Sequence, residues 1–399
     1  MNILHINTID NRGGAARVVW RLANEQKRLG HNVSTFVGYK YSNDPSVREI
    51  PRNPLCRRLS KFFANDLRFS RSNWILKTNE YRKADIIHCH NLHSGFFNLK
   101  TIEIMSKEKP ILWTLQDLWP ITSGCTDSYR CRIEKPRKFC AILWDNRKHL
   151  LEEKKKIYQN SNFTTVTSSQ WMTEKIKGSA IGHLENRLIL NGIDTHIFTP
   201  RDRLESRREL ELPLDKKIIL FIAVGGIGDG LKGSNYVEQI ANHHLKDKDK
   251  LFVAIGRNKK IKSDQQAEIG QNIIQTGYIG DEDILAKYYS AADFFLYPSR
   301  ADNSPLVVTE AMACGTPVVS FETDGIPEMI SECGLLAQRE NFEDLLNKTE
   351  EMLSISPERY LKMRALGIEK IKRDYSLEKM ATEYMSLYSE LISNFQANK

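Results

Sequence analysis

Over 399 residues the chain has no apolar run approaching the ~18–20 residues that crossing a bilayer requires. Its start, MNILHINTI, lacks the basic stretch and long apolar core of a secretory leader, so it reads as a first β-strand. Cysteine is scarce: seven residues, an odd number, with no CxxC pair. That excludes a disulfide scaffold and predicts a reducing, cytoplasmic setting. Cys125, Cys131 and Cys140 share one basic stretch (CTDSYRCRIEKPRKFC) but not the paired spacing of a structural zinc site, and no metal is assigned to them. The dinucleotide fingerprint is also missing. Two adjacent glycines stand where three spaced ones are needed, and no acid ends the second expected strand, where Gly38, Tyr39 and Lys40 follow one another. A nicotinamide or flavin enzyme is thereby disfavoured.

What is present is an ordinary water-soluble composition, 41% hydrophobic and 27% charged, in a chain too long for one core. The net charge of +8 is unevenly spread. Residues 1–190 carry 32 Lys+Arg against 17 Asp+Glu (+15), and the remainder 26 against 33 (−7), which sum to +8. A basic half beside a mildly acidic one predicts two domains, and suggests an anionic partner for the first (nucleic acid, an acidic leaflet or a phosphorylated lipid) or simply a solvated basic surface.

Strand–loop–helix–strand units recur along the chain. Ile3–Ile6 reads as a strand, Asn11–Gly14 as a tight turn, Ala15–Leu29 as a helix closed by Gly30, and Val33–Val37 as the next strand. Tyr41–Lys83 is basic and interleaved with aromatics, read as loops and short helices. Asp85–His88 and Ile111–Leu115 are short strands running into HCHNLH and Gln116–Asp117. His88, His90 and His93 have no tripod spacing for a metal, and hydrogen bonding to substrate is the expected role. After a turn at Asn191–Gly192 the pattern restarts: strand Lys217–Val224, then a glycine-rich loop, VGGIGDGLKG, carrying Lys232.

Ala292–Glu328 organises the second half. Phe294–Tyr297 is an expected strand and Pro298–Asn303 a loop. Ser304 is the expected N-cap, with Pro305 at the first helical position of a helix over Leu306–Ala313. Free N–H groups from Ser304 to Val307, together with the helix dipole, would seat an anion. Asp302 and Glu310 flank that seat, eight residues apart. A diphosphate needs such amides, a glycine loop (Gly13, Gly14) and a cation (Lys232), while the two acids can accept from sugar hydroxyls. Stabilising a departing nucleoside diphosphate would then be the main catalytic task, with neither metal nor cofactor required.

DNSPLVVTEAMACGTPVVSFETDGIPE resembles the donor-site signature of retaining family 4 glycosyltransferases with the GT-B fold. The Gly13–Gly14 turn, ADIIHCHN, NGIDTHIF, the LKG lysine and TGYIGDED, which holds Tyr278, resemble further parts of that family. WTLQDLWPITSGC is similar to a segment in members that build bacterial surface polysaccharides. The resemblance implies an α/β GT-B architecture, two Rossmann-like doubly wound domains facing across a cleft. The acceptor domain would span 1–190 and the nucleotide-sugar domain 191–375, with a helix over 376–399 crossing back to the first. It makes Glu310 the ribose acid, Asp302 the acid for the transferred sugar, Lys232 the phosphate cation and 304–307 the diphosphate seat. Two positions depart from the family. Gly226 stands where an Arg is common, leaving Arg257 as the expected replacement. Gln116 stands where a His is common and can bond a hydroxyl without carrying a proton; His88 and His90 are expected to fill that gap.

The reading that follows is a retaining, metal-independent hexosyltransferase. It would move a sugar from a nucleotide donor to a lipid-linked or oligosaccharide hydroxyl in bacterial surface polysaccharide synthesis. It would work in the cytoplasm, peripherally at the inner membrane face, with no nucleic-acid partner. The alternatives are a nucleotide-sugar isomerase of the same architecture and a non-catalytic nucleotide-sugar-binding partner.

Overall fold

The computed structural model describes residues 1–63, 65–132, 146–244, 246–257, 267–268 and 272–398. The chain divides into two compact units. One comprises Met1–Gly192 with Leu377–Lys399, the other Ile193–Ser376. The first unit is built on a seven-stranded, wholly parallel sheet: β1 (Asn2–Ile9), β2 (Asn32–Tyr39), β3 (Val47–Glu49), β4 (Ile86–Cys89), β5 (Ile111–Leu115), β6 (Thr164–Thr167) and β7 (Asn186–Leu188). Their order across the sheet is β3-β2-β1-β4-β5-β6-β7. The second unit repeats the plan with β8 (Lys217–Ile222), β9 (Lys250–Ile255), β10 (Ala267–Glu268), β11 (Ile273–Gln275), β12 (Phe294–Tyr297), β13 (Val318–Phe321) and β14 (Gly334–Ala337). Their order is β10-β11-β9-β8-β12-β13-β14, and among the described residues only β10 runs antiparallel, against β11.

The apolar content of the strands explains this arrangement. Ile218–Ile222, Phe294–Tyr297 and Val318–Phe321 are buried at every position, as strands must be when helices cover both faces of a parallel sheet. In each sheet the direction of winding reverses once, between β1 and β4 in the first and between β8 and β12 in the second. The carboxyl ends of the strands at such a reversal leave a crevice where ligands of doubly wound sheets bind. The α/β doubly wound fold expected from the sequence is therefore present in both units.

The helix Leu377–Ala397 packs on Gly14–Arg28 and belongs to the first unit. Elements not foreseen include edge strands β3, β10 and β14 and the helices Thr101–Glu108 and Arg203–Glu209. Among the described residues, no helix is long and apolar enough to cross a membrane.

Candidate functional site

In the second unit the loops after β8 and β12 meet at the winding reversal and bring the expected charged residues together. Gly233 makes the meeting possible. Its φ is +78°, and a Cβ there would lie 1.9 Å from the Pro298 carbonyl oxygen, so only glycine lets the Lys232 turn close on the end of β12. Lys232 Nζ forms an ion pair with Asp302 Oδ2, and the Tyr297 hydroxyl donates to the same oxygen at 2.6 Å. Burial opposes the lysine charge, but Asp302 and then Tyr297 outweigh it and raise its pKa above the ordinary range. Burial, reinforced by Asp302, likewise raises the Tyr297 hydroxyl, which stays protonated and able to donate. The pair retains access to water, with 27% of the Lys232 side chain and 17% of that of Asp302 exposed.

The helix Leu306–Ala313 follows at once. Its N-cap is Pro305, not Ser304, and no side chain caps it. The expectation of a Ser304 cap with Pro305 inside the helix is thus corrected by one residue. Pro305 has extended backbone (ψ 119°), and the first helical amides are those of Leu306 and Val307. Their N–H groups precede any helical acceptor and form the positive end of the dipole. Glu310, one turn further on, is buried and accepts from the Tyr289 hydroxyl at 3.2 Å.

Gly226 cannot be a simple loss of arginine. It has φ +55°, and a Cβ would fall 2.4 Å from Gln275 Nε2 and 3.0 Å from the Arg257 carbonyl oxygen. Arg257 itself is exposed and stands 5.3 Å over the Tyr278 ring, so these two expected residues form one cation–π pair beyond β9 and β11.

In the first unit Gly13 caps the helix Gly14–Arg28 through backbone alone, leaving its N-terminus without a side-chain acceptor or acid. Gln116, at the end of β5, exchanges two long contacts with the Asn191 side chain, 3.4 and 3.5 Å. His88 and His90 are not at a surface, which corrects their expected catalytic role. Both are buried, on the side of β4 covered by the Leu377–Ala397 helix, with His5 of β1 beside them.

Their bonds fix their tautomers. Gln26 Oε1 can only accept, so His5 donates to it from Nε2 (2.8 Å) and is bare at Nδ1. His90 Nε2 then donates to His5 Nδ1 at 2.9 Å, leaving His90 Nδ1 a buried acceptor without a partner. Gln26 Nε2 donates to the Tyr388 hydroxyl (3.1 Å), which in turn reaches His88 Nδ1 (2.6 Å), and His88 Nε2 meets Thr114 Oγ1 (2.7 Å). Burial, assisted by neighbouring charge, pushes His5 down to about 4 and holds His88 and His90 well below the ordinary value. Ligating atoms of the three histidines lie within 4.8 Å of one another. Yet five of their six ring nitrogens are engaged, and no carboxylate belongs to the cluster to offset a buried dication. The exposed-edge histidine is instead His93, whose Nε2 lies 3.1 Å from Asp117 Oδ2. Burial opposes its charge and Asp117 overrides that, so its pKa is raised. Cys125 is buried and Cys131 half-buried, and Cys140 lies outside the described residues.

Two family descriptions match the chain: Glycosyltransferase Family 4 over residues 12–197 and Glycosyl transferases group 1 over 217–354. The chain carries a family 4 glycosyltransferase domain followed by a group 1 glycosyl transferase domain. Among its relatives is WcaC of Escherichia coli (strain K12), a protein named for glycosyl transfer in colanic acid biosynthesis. It is 25% identical over 98% of this chain and 100% of its own length. The fold agrees with sucrose-phosphate synthase from Thermosynechococcus elongatus (TM-score 0.71, 21% identity, 99% and 100% of the two chains). It agrees also with Anabaena Alr3699/HepE, solved in complex with UDP (TM-score 0.68, 14% identity, 98% and 100%). Neither alternative reading, isomerase or non-catalytic partner, finds support among these relatives.

Two tyrosines that hold the acids of this arrangement, Tyr297 on Asp302 and Tyr289 on Glu310, were not singled out from the sequence. Tyr297 was legible only as an apolar strand residue, although a tyrosine at a strand end before a proline loop is a usable signal. Tyr289, on the preceding helix Glu282–Ala291 and 21 residues before Glu310, gave no signal and is defined by its contact with that acid.

Proposed function

We propose that this glycosyltransferase is a retaining, metal-independent hexosyltransferase that uses a nucleoside diphosphate sugar. Its acceptor is a hydroxyl on a lipid-linked or growing saccharide of a bacterial surface polysaccharide. The observation that carries the proposal is the Lys232–Asp302 pair at the second winding reversal, beside the uncapped amides of Leu306 and Val307. Together they offer a cation and a dipole for the diphosphate and a carboxylate for the sugar. Glu310 accepts from the ribose hydroxyls, and Arg257, held over Tyr278, is the second cation for the diphosphate in this reading. Gln116 takes a sugar or acceptor hydroxyl as a neutral hydrogen-bonding group.

In the reaction the bond from the sugar's anomeric carbon to the diphosphate oxygen breaks. The acceptor oxygen forms the new bond on the same face, and its proton passes to the departing phosphate. The protein's task is to hold the growing diphosphate charge; no side-chain nucleophile is needed. The relatives' polysaccharide roles, and the basic first half of the chain, support action at the cytoplasmic face of a membrane.

A panel of nucleotide sugars, with release of free nucleoside diphosphate as the readout in the presence of EDTA, tests the proposal. Release from one donor is expected, with Glu310→Ala slowing it at least about a hundredfold through loss of charged hydrogen bonds to the ribose. Sugar interconversion without release, or undiminished release by the variant, would refute it.

A further inference from the structure

Within the first unit a cavity of about 580 Å³ lies between the Pro54–Phe62 helix, residues 69–71 and the turn that follows β4. Its lining is chemically divided. Phe69 and Phe96 supply apolar surface, and Arg52, Arg58 and Arg71 supply cations. Arg52 is already neutralised by Glu49 and lies 4.2 Å over the Tyr39 ring. Arg58 and Arg71 are exposed and, among the described residues, neither side chain makes an ion pair. Two cations without counter-charges facing one recess attract an anion.

The turn that closes the recess is held in an uncommon conformation. Ser94 has φ +79° and Gly95 φ +71°. The serine hydroxyl meets His93 Nδ1 at 2.8 Å, and a Cβ on Gly95 would stand 3.4 Å from Ser60 Oγ of the neighbouring helix. A non-glycine residue at positive φ persists only where its surroundings impose it, and such positions gather at ligand sites. This turn leaves the carboxyl end of β4, one of the two strands at the first unit's winding reversal.

An apolar strip leads from the recess into solvent. Phe63 stacks on Phe69 of the lining (5.6 Å, 19°), and Phe62 meets Phe63 edge-on at 5.1 Å. Phe62 is 59% exposed, Phe63 51% and Leu55, on the same helix, 61%. Contiguous exposed apolar side chains on a basic helix call for a partner that is itself both apolar and anionic.

We propose that this recess holds the phosphorylated head of a lipid-linked glycan acceptor. Arg58 and Arg71 bind the phosphate, and the strip from Phe69 through Phe63 to Phe62 lies against the lipid tail. This rests on the transferase reading above and names the acceptor class for it. A soluble anionic saccharide would leave the aromatic strip in water, and a simple charged bilayer surface would leave the cavity empty.

The full chain, sedimented with three kinds of vesicle, tests the proposal: phosphatidylcholine alone, with phosphatidylglycerol, and with a polyprenyl phosphate at matched charge. Binding is expected to be strongest to the polyprenyl phosphate vesicles. A short, water-soluble isoprenyl phosphate should compete, and inorganic phosphate at equal concentration should not. Arg58→Gln and Arg71→Gln, each with a wild-type melting curve, should weaken the preference roughly tenfold, as for loss of one charge-assisted phosphate contact. Equal binding to the two anionic vesicles, or variants that bind like the wild type, would overturn it. Nucleoside diphosphate binding by the wild-type chain is measured alongside. Its absence with the lipid preference intact would sink the transferase reading and leave the recess standing, and the converse would do the opposite.

Discussion

Lys232 and Asp302 neutralise one another, so a donor bound at the proposed site would have to divide a pair that is already satisfied. Asp302→Asn should therefore free the lysine: affinity for the bare nucleoside diphosphate rises several-fold while turnover of the nucleotide sugar falls. Calorimetry with the diphosphate and a release assay would read the two effects separately, and weaker diphosphate binding would contradict the pairing. Gly226→Arg, the change that would restore the family's usual residue, should not raise donor affinity. Its Cβ has no room beside Gln275 and the Arg257 backbone, and the positive φ adds strain, so a loss of stability of about 1–3 kcal/mol is expected in thermal melts.

The buried histidines make a pH prediction whose sign is fixed by their depressed pKa values. An unfolded chain takes up protons at histidine near pH 6.5, whereas folded His5 does so only near 4 and His88 and His90 lower still. Between those limits the unfolded state binds more protons, so stability is lost as pH falls below 6.5. His5 alone accounts for about 3 kcal/mol of that loss by pH 4. His93, with its raised pKa, contributes in the opposite sense, its share present below pH 6.5 and lost as pH rises through its folded value. Urea midpoints followed downward from neutrality would show the fall, and a flat profile would mean that the network accepts protons while folded.

At the scale of elements, the Leu377–Ala397 helix is fixed by hydroxyls as well as by apolar packing. Tyr388→Phe would leave Gln26 Nε2 and His88 Nδ1 unpaired in the interior, a cost of about 2–4 kcal/mol in a denaturant melt. The same helix shows where sequence reading stops. Strands β8, β12 and β13 were plain because their apolar runs are continuous and bounded by turn residues. Edge strand β3 (VRE) was not, having a single apolar residue, nor was β14 (GLLA), whose three apolar residues follow a helix and a glycine with no alternation to mark them. The helix Leu306–Ala313 was legible in extent but not in its cap, because Pro305 suits either position and backbone geometry decides between them. His88 and His90 looked functional because they are polar residues at a strand end. What covers them comes from nearly three hundred residues later in the chain, and no local pattern announces a distant tyrosine as a histidine's partner. The meeting of Lys232 with Asp302 at the start of a helix, by contrast, was readable because each lies within a short, recognisable segment.

At the scale of the molecule, one unit is contiguous and the other is not: Ile193–Ser376 is inserted between the two pieces of the first. Translation delivers those pieces in order. Residues 1–192 leave the ribosome with the flank of β1 and β4 uncovered, its three histidines and apolar neighbours open to water or to a chaperone. The inserted unit can finish folding before the covering helix has been made. An isolated 193–376 fragment should fold alone, whereas 1–192 should stay aggregation-prone until Leu377–Ala397 is supplied as a separate peptide. Completion of the first unit thus reports that the second has already been synthesised, and a ribosome that stops early releases a chain marked for disposal by its own open flank.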